Sequence, residues 1–112
     1  MKHHQIQYVE FLSKHLGAVK DFYTKAFGWQ FTDYGPTYTA FFGECVEGGF
    51  EVGEPVKGSV LVILYSNKLE ESKTAVEQAG GTICRDIFSF PGGRRFHFLD
   101  PDNNELAVWS DQ

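Results

Sequence analysis

Apolar residues recur along this chain in two arrangements that appear twice, in the same order. The first half has an extended apolar stretch from Gln7 to Leu12, then Leu16, Val19, Phe22, Tyr23, Ala26 and Phe27 at helical spacing, stopped by Gly28. The second half repeats this with Val60 to Tyr65, then Leu69, Val76 and Ala79, stopped by Gly80. Tyr8 and Val60, like Gly28 and Gly80, lie about 52 residues apart, which marks an internal repeat. After each helix come three short strand signals. In the first half these are Trp29 to Tyr34, Tyr38 to Gly43 and Gly49 to Val52, with a turn at Gly35-Pro36. In the second they are Thr82 to Phe88, Arg95 to Leu99 and Glu105 to Trp109, with turns at Pro91-Gly92-Gly93 and Asp100 to Asn104.

The pattern predicts an α+β fold: two tandem βαβββ units, about 5–53 and 58–110, forming a curved, mostly antiparallel sheet around a cleft with helices outside. The first helix is expected to begin near Ser13 or His15. The second is expected to be capped by Asn67, with Glu70 reaching back to the Asn67 amide. At 112 residues each half alone would bury too little apolar surface, so one domain over 1–112 is expected, with shared burial. The 11 phenylalanines and a hydrophobic fraction of 42% supply that core and argue against disorder.

Charge narrows the partners. The net charge is −5, and the only basic cluster is Arg94-Arg95, so no footprint for nucleic acid exists. No apolar run is long enough for a membrane span, and Met1-Lys2-His3-His4 lacks a signal-peptide core, so a cytoplasmic protein is expected. Cys45 and Cys84 match neither a CxxC motif nor a disulfide framework and are expected to be free thiols. Neither a phosphate-binding glycine loop nor a GxSxG elbow occurs.

Two stretches carry a family likeness: Phe22-Tyr23-Thr24-Lys25-Ala26-Phe27-Gly28-Trp29, and Phe98-Leu99-Asp100-Pro101-Asp102-Asn103-Asn104-Glu105-Leu106. They resemble the helix end and the final turn of the vicinal oxygen chelate superfamily, which includes glyoxalase I, bleomycin-resistance proteins, fosfomycin-modifying enzymes and extradiol dioxygenases. The likeness spans essentially the whole chain. It implies the fold but not one activity, because the scaffold hosts isomerases, transferases, oxygenases and binding proteins. Metal-dependent members hold an ion in the cleft with His, Glu or Gln from the first and last strands of each unit. The matching positions fall on Tyr8, Val60, Ala107 and a residue near Val52, with Glu51 beside it. One phenol and three apolar side chains do not make a divalent centre. The chain is similar instead to short single-domain bacterial members with an FYxxxFGW helix end and an aliphatic-Trp finish, here Ala107-Val108-Trp109.

Strand alternation puts Tyr8 and Glu10 on one face, with Val60, Val62 and Leu64 on the equivalent face of the second unit and Glu105, Ala107 and Trp109 from the last strand. Such a cleft suits a small aromatic or aliphatic ligand with a polar or cationic tip. Glu10, between Val9 and Phe11, is expected to be partly desolvated and to serve as a base, and His97 as an acid-base group or donor. Tyr8, Trp29, Phe41, Glu105 and Trp109 are the expected ligand contacts. Arg94 and Arg95 are candidates for an anion clamp at the cleft mouth.

The leading expectation is a cleft that binds a small hydrophobic or aromatic molecule without a metal or other cofactor, as bleomycin-resistance-type proteins do. The competing expectation is an enzyme of glyoxalase, lyase or dioxygenase type, in which Ni²⁺, Zn²⁺ or Mn²⁺ is captured by shifted donors such as Glu10, Glu51, His97 and Glu105. The family resemblance also implies a homodimer, and Phe41, Phe42 and Phe50 suit an interface.

Overall fold

The structure, a computed structural model, describes residues 3–4, 6–56, 58 and 60–112. Its elements run β1 (Tyr8–Ser13), α1 (Leu16–Phe27), β2 (Phe31–Asp33), β3 (Tyr38–Phe41) and β4 (Glu47–Val52). They continue with β5 (Val62–Tyr65), α2 (Leu69–Gln78), β6 (Thr82–Phe90), β7 (Gly93–Leu99) and β8 (Glu105–Ser110). The two βαβββ units are present in the expected order. Each forms a four-stranded sheet of its own, ordered β1-β4-β3-β2 and β5-β8-β7-β6. The first and last strands of a unit pair in parallel, and the other pairings are antiparallel. No helix among the described residues is long and apolar enough to cross a membrane.

One face of each sheet is covered by helix. The apolar stripe of α1 buries Val19, Phe22 and Tyr23, and that of α2 buries Leu69 and Val76. These meet Phe50 of the first sheet and Phe96, Phe98, Leu106 and Val108 of the second in one apolar cluster, so the units share a core. α1 ends as expected on Gly28, whose φ of 74° is left-handed and whose N–H returns to the Thr24 carbonyl.

α1 starts as expected, with His15 as its N-cap, but the start of α2 differs from expectation. α2 begins at Leu69 with Lys68 as N-cap, and no side chain caps it. Asn67 does not form a capping box, because Arg94 holds the Glu70 carboxylate through both of its oxygens. Ser66 Oγ instead accepts the Lys68 N–H at 3.0 Å, and Ser13 Oγ accepts the His15 N–H at 3.1 Å. The N-cap dihedrals agree closely, −137° and 83° at His15 against −142° and 82° at Lys68. Ser13 thus corresponds to Ser66, 53 residues on, whereas Gly28 and Gly80 are 52 apart. The segment from this serine to the glycine stop is one residue longer in the first unit than in the second.

That single residue reverses the faces expected for β5, since side chains alternate with a period of two. Ile63 pairs with Ala107 and Tyr65 with Trp109, so these four share the open face. Val62 and Leu64 pack on the core instead. Val60 precedes the strand and is 79% exposed. The first-unit counterpart of Ala107 is Gly49, the Cα partner of Glu10, and not a residue near Val52.

The turn between β7 and β8 ties the units together. Asp100 is 3% exposed, and its carboxylate accepts the N–H groups of Asp102 and Asn104, the Asn104 side chain and the Tyr23 hydroxyl at 3.0 Å. Asp102 accepts the Ser13 hydroxyl and, at 3.1 Å, the Lys14 N–H, while the Asn104 amide donates to the Leu12 carbonyl. Both family motifs therefore meet here, Tyr23 from one and Asp100 from the other. Burial pushes the Tyr23 hydroxyl far above its ordinary value, reinforced by the Asp100 charge. Burial also raises Asp100, against the pull of its hydrogen bonds.

Tyr23→Phe is expected to cost about 1–2 kcal/mol in denaturant unfolding, because it strips a donor from a buried carboxylate without opening a cavity. Asp100→Asn presents an NH₂ group to donors and is expected to cost about 1–3 kcal/mol. The raised folded pKa of Asp100 favours the native state below the ordinary aspartate range, and that contribution is lost as pH rises through the folded value. The stability margin of wild type over Asp100→Asn should therefore shrink between about pH 3 and about pH 7. A margin that widens over this range would contradict the assignment.

Candidate functional site

The faces turned away from the helices carry the polar and aromatic groups that the core does not use. On the first sheet this face presents Tyr8 and Glu10 from β1, Tyr38 and Ala40 from β3, and Glu47, Gly49 and Glu51 from β4, as the strand register requires. Tyr8 and Tyr38 lean over Gly49, where a Cβ would lie 2.3 Å from the Tyr38 hydroxyl and 2.8 Å from that of Tyr8. Only glycine leaves room for this convergence. Tyr38 Oη donates to Glu10 Oε1 at 2.9 Å, so the 2.5 Å contact between the phenols is donated by Tyr8. A chain of hydrogen bonds thus runs from Tyr8 through Tyr38 to Glu10. Burial and these two partners raise the Tyr38 pKa well above the phenol range. Glu10 itself is exposed, unlike the desolvated base expected: its strand neighbour Gly49 offers no side chain to cover it.

The second sheet shows a different chemistry. His97 lies opposite the core residues Phe96 and Phe98, on the face shared with Ala107, and is 6% exposed. Its Nδ1 is 2.8 Å from Glu105 Oε2, which fixes the ring and leaves Nε2 buried with no partner. Arg95 pairs in register with Trp109 and Phe88, and Arg85 with His97. Arg85 lies 3.7 Å from the Phe88 ring centre, and Arg95 lies 5.3 Å from Phe88 and 5.6 Å from Phe90. Two register shifts in β6, on either side of Arg85, aim Arg85 and Phe88 over this face.

The structure does not unite all the residues expected to share a site. Tyr8 and Glu10 stand on one open face, and His97, Glu105 and Trp109 stand together on the other. Trp29 and Phe41 belong to neither. The Trp29 ring stacks between Tyr23 and Phe41 at 4.7 and 4.4 Å, within the aromatic packing on the helix side. Alternation sends Phe41 to the side of Phe31 and Phe50, which explains the departure. Arg94 is bound to Glu70 and to the Gln112 carbonyl, so of the adjacent pair only Arg95 joins Arg85 on the open face. Tyr38, Arg85 and Phe88 were not foreseen. Their signal lies in cross-strand register and in a bulge, which spacing along the chain does not reveal. Two surface hollows of about 330 and 360 Å³ lie elsewhere, around the start of α2. The first is lined by Phe27, Leu64, Val108 and Tyr65 with Ser66, Asn67 and Ser72, and the second by polar residues such as Glu70, Glu71 and Arg94; Tyr8, Tyr38, Glu10 and His97 line neither.

The fold type accommodates a divalent ion in some members, so the donors must be tested. Among the described residues no three His, Cys, Asp or Glu side chains group so as to hold a metal ion. Glu10 and Glu51 lie on one sheet, His97 and Glu105 on the other, and the residues of one chain do not fit a centre with three donors. Cys45 and Cys84 are free thiols, both exposed.

No curated protein matches the chain. Among solved structures, a glyoxalase/bleomycin resistance protein/dioxygenase family enzyme from Burkholderia phytofirmans PsJN superposes with a TM-score of 0.84 at 16% identity, covering 95% of this chain and 98% of its own. Lactoylglutathione lyase from Agrobacterium tumefaciens gives 0.74 at 17% identity, with 96% and 93% covered. TioX from Micromonospora sp. ML1 gives 0.76 at 16% identity, with 96% and 99% covered. At such identities the likeness is one of fold. The family model for the Glyoxalase/Bleomycin resistance protein/Dioxygenase superfamily matches residues 5–108, and the chain belongs to that superfamily.

Proposed function

We propose that this protein binds a small hydrophobic or aromatic molecule against the open faces of its sheets, without a metal, in a homodimer whose second copy helps to cover those faces. The observation that carries this reading is the side-chain set left open there. Tyr8, Ile63 and Tyr65 are 41%, 43% and 52% exposed although large and largely apolar; Tyr8 stands on the first sheet's open face, and Ile63 and Tyr65 stand with Trp109 on the second's. Aromatic walls with a few fixed polar groups suit a small organic ligand. The scattered carboxylates do not suit an ion.

A second reading, an enzyme of glyoxalase or lyase type, is favoured by two arrangements. The His97–Glu105 pair holds an imidazole with one nitrogen free for proton transfer, and the Tyr8–Tyr38–Glu10 chain connects an exposed hydroxyl to a carboxylate. In this reading His97 moves the proton and Glu105 orients it, while Glu10 receives a proton through the two phenols. Both readings place the ligand on the same faces, and they part on turnover.

Titration with a panel of aromatic compounds is expected to change the tryptophan fluorescence. The change should vanish in Trp109→Phe and persist in Trp29→Phe, because Trp29 is held in the core stack; the reverse pattern would move the site. Elemental analysis of untagged protein, before and after dialysis against Ni²⁺, Zn²⁺ and Mn²⁺, is expected to find far less than one ion per chain. Stoichiometric metal would defeat the metal-free reading. In alkaline titration followed by tyrosinate absorbance, Glu10→Gln is expected to bring the Tyr38 pKa part of the way back, burial retaining the rest. An unchanged profile would show that the hydrogen-bond chain does not operate in solution.

A further inference from the structure

The open face of the second sheet holds positive charge that makes no ion pair among the described residues. Of the three arginines in the chain, Arg94 is neutralised by Glu70, whereas Arg85 and Arg95 have no carboxylate partner among the described residues. Both lie over Phe88, beside His97. Two nitrogen atoms of this group, Arg95 Nε and His97 Nε2, are buried and lack any hydrogen-bond partner. Their residues are two apart on β7 and face the same way. Polar atoms buried in this manner are ordinarily satisfied, so their pairing with something outside the chain is the economical account.

Resting on the binding reading above, we propose that this face carries a subsite for the carboxylate of a planar aromatic acid. Arg95 and Arg85 donate to the carboxylate, His97 Nε2 completes the set, and Trp109 and Phe90 flank the aromatic body. A planar guanidinium matches a carboxylate with paired donors. Glu105 on His97 and Asp111 on the Tyr65 hydroxyl bring negative charge to this side of the sheet, which favours a monoanion over a phosphate dianion. This reverses the cationic tip expected from the sequence.

Glutamates of a second copy are the competing occupant. On the first sheet's open face Glu10 accepts a hydrogen bond from Tyr38 through one oxygen, and Glu47 one from Gln7 at 2.7 Å, so with Glu51 three carboxylates are offered there, and the test separates them from a bound acid.

The test is calorimetric titration of the full-length protein with three probes of one shape, 2-naphthoate, 2-naphthamide and 2-naphthylmethylammonium. The acid is expected to bind at least about tenfold more tightly than the amide, and Arg95→Met to lose about tenfold in acid affinity only. Arg94→Met should leave all three affinities unchanged. In the bound state the His97 ring signals should shift in heteronuclear NMR. Should Arg95→Met fail to fold, Arg85→Gln carries the same comparison. Equal binding of acid and amide would overturn the carboxylate subsite while leaving the binding cleft in place. Failure of all three probes would remove both. An Arg95→Met protein that keeps its acid affinity but dissociates into monomers would assign the arginines to the partner's glutamates and overturn the proposal.

Discussion

The buried carboxylate of Asp100 is the constraint on which the relation between the two units depends. Four donors converge on it, one of them the Tyr23 hydroxyl from the other unit. The same turn holds the end of β1 through Asp102 and Asn104. Among the described residues no strand pairs across the two sheets, so this polar clasp and the apolar cluster around Phe22 and Phe98 fix their arrangement. Burying a carboxylate is costly, and its pKa rises accordingly. A fully bonded cluster offsets that cost and admits few alternative packings.

The helical faces being committed to the core, each sheet is left with one outward face, and the two have acquired opposite characters. The first offers glutamates and a pair of phenols over Gly49; the second offers arginines, aromatic rings and a histidine oriented by Glu105. A ligand pressed between such faces would meet acceptors on one side and donors on the other. This asymmetry arises within a repeat, where equivalent backbone positions carry unlike side chains: Glu10 corresponds to Ile63, and Gly49 to Ala107. The duplicated backbone supplies the frame, and the substitutions on it supply the chemistry.

Much of the fold was legible because helix stripes and glycine stops are local signals. Val19, Phe22, Tyr23, Leu69 and Val76 are buried where their spacing places them, and Gly28 adopts the left-handed cap. The site was less legible. One residue of difference between the serine-to-glycine segments that contain the helices was invisible at the glycine stops yet inverted the faces of β5, turning Ile63 and Tyr65 outward in place of Val62 and Leu64. Trp29 and Phe41 read as ligand contacts from aromatic richness, but Trp29 stacks on Tyr23 and Phe41 on Trp29, against the core. His97 and Glu105 were identified separately; their contact follows from the β7–β8 register, which places them diagonally across neighbouring strands. The two family motifs imply the fold and not an activity, in keeping with their place in the structure, where Tyr23 and Asp100 join the units.

The most direct test of the central claim is chemical-shift mapping by heteronuclear NMR of the uniformly labelled protein, with an aromatic ligand added in a buffer containing a metal chelator. Binding to the open faces without a metal predicts shifts concentrated at Tyr8, Tyr38, Ile63, Tyr65, His97 and Trp109 despite the chelator. Shifts gathered instead around Asn67 and Ser72 at the start of α2, or appearing only once a divalent ion is in excess, would contradict it.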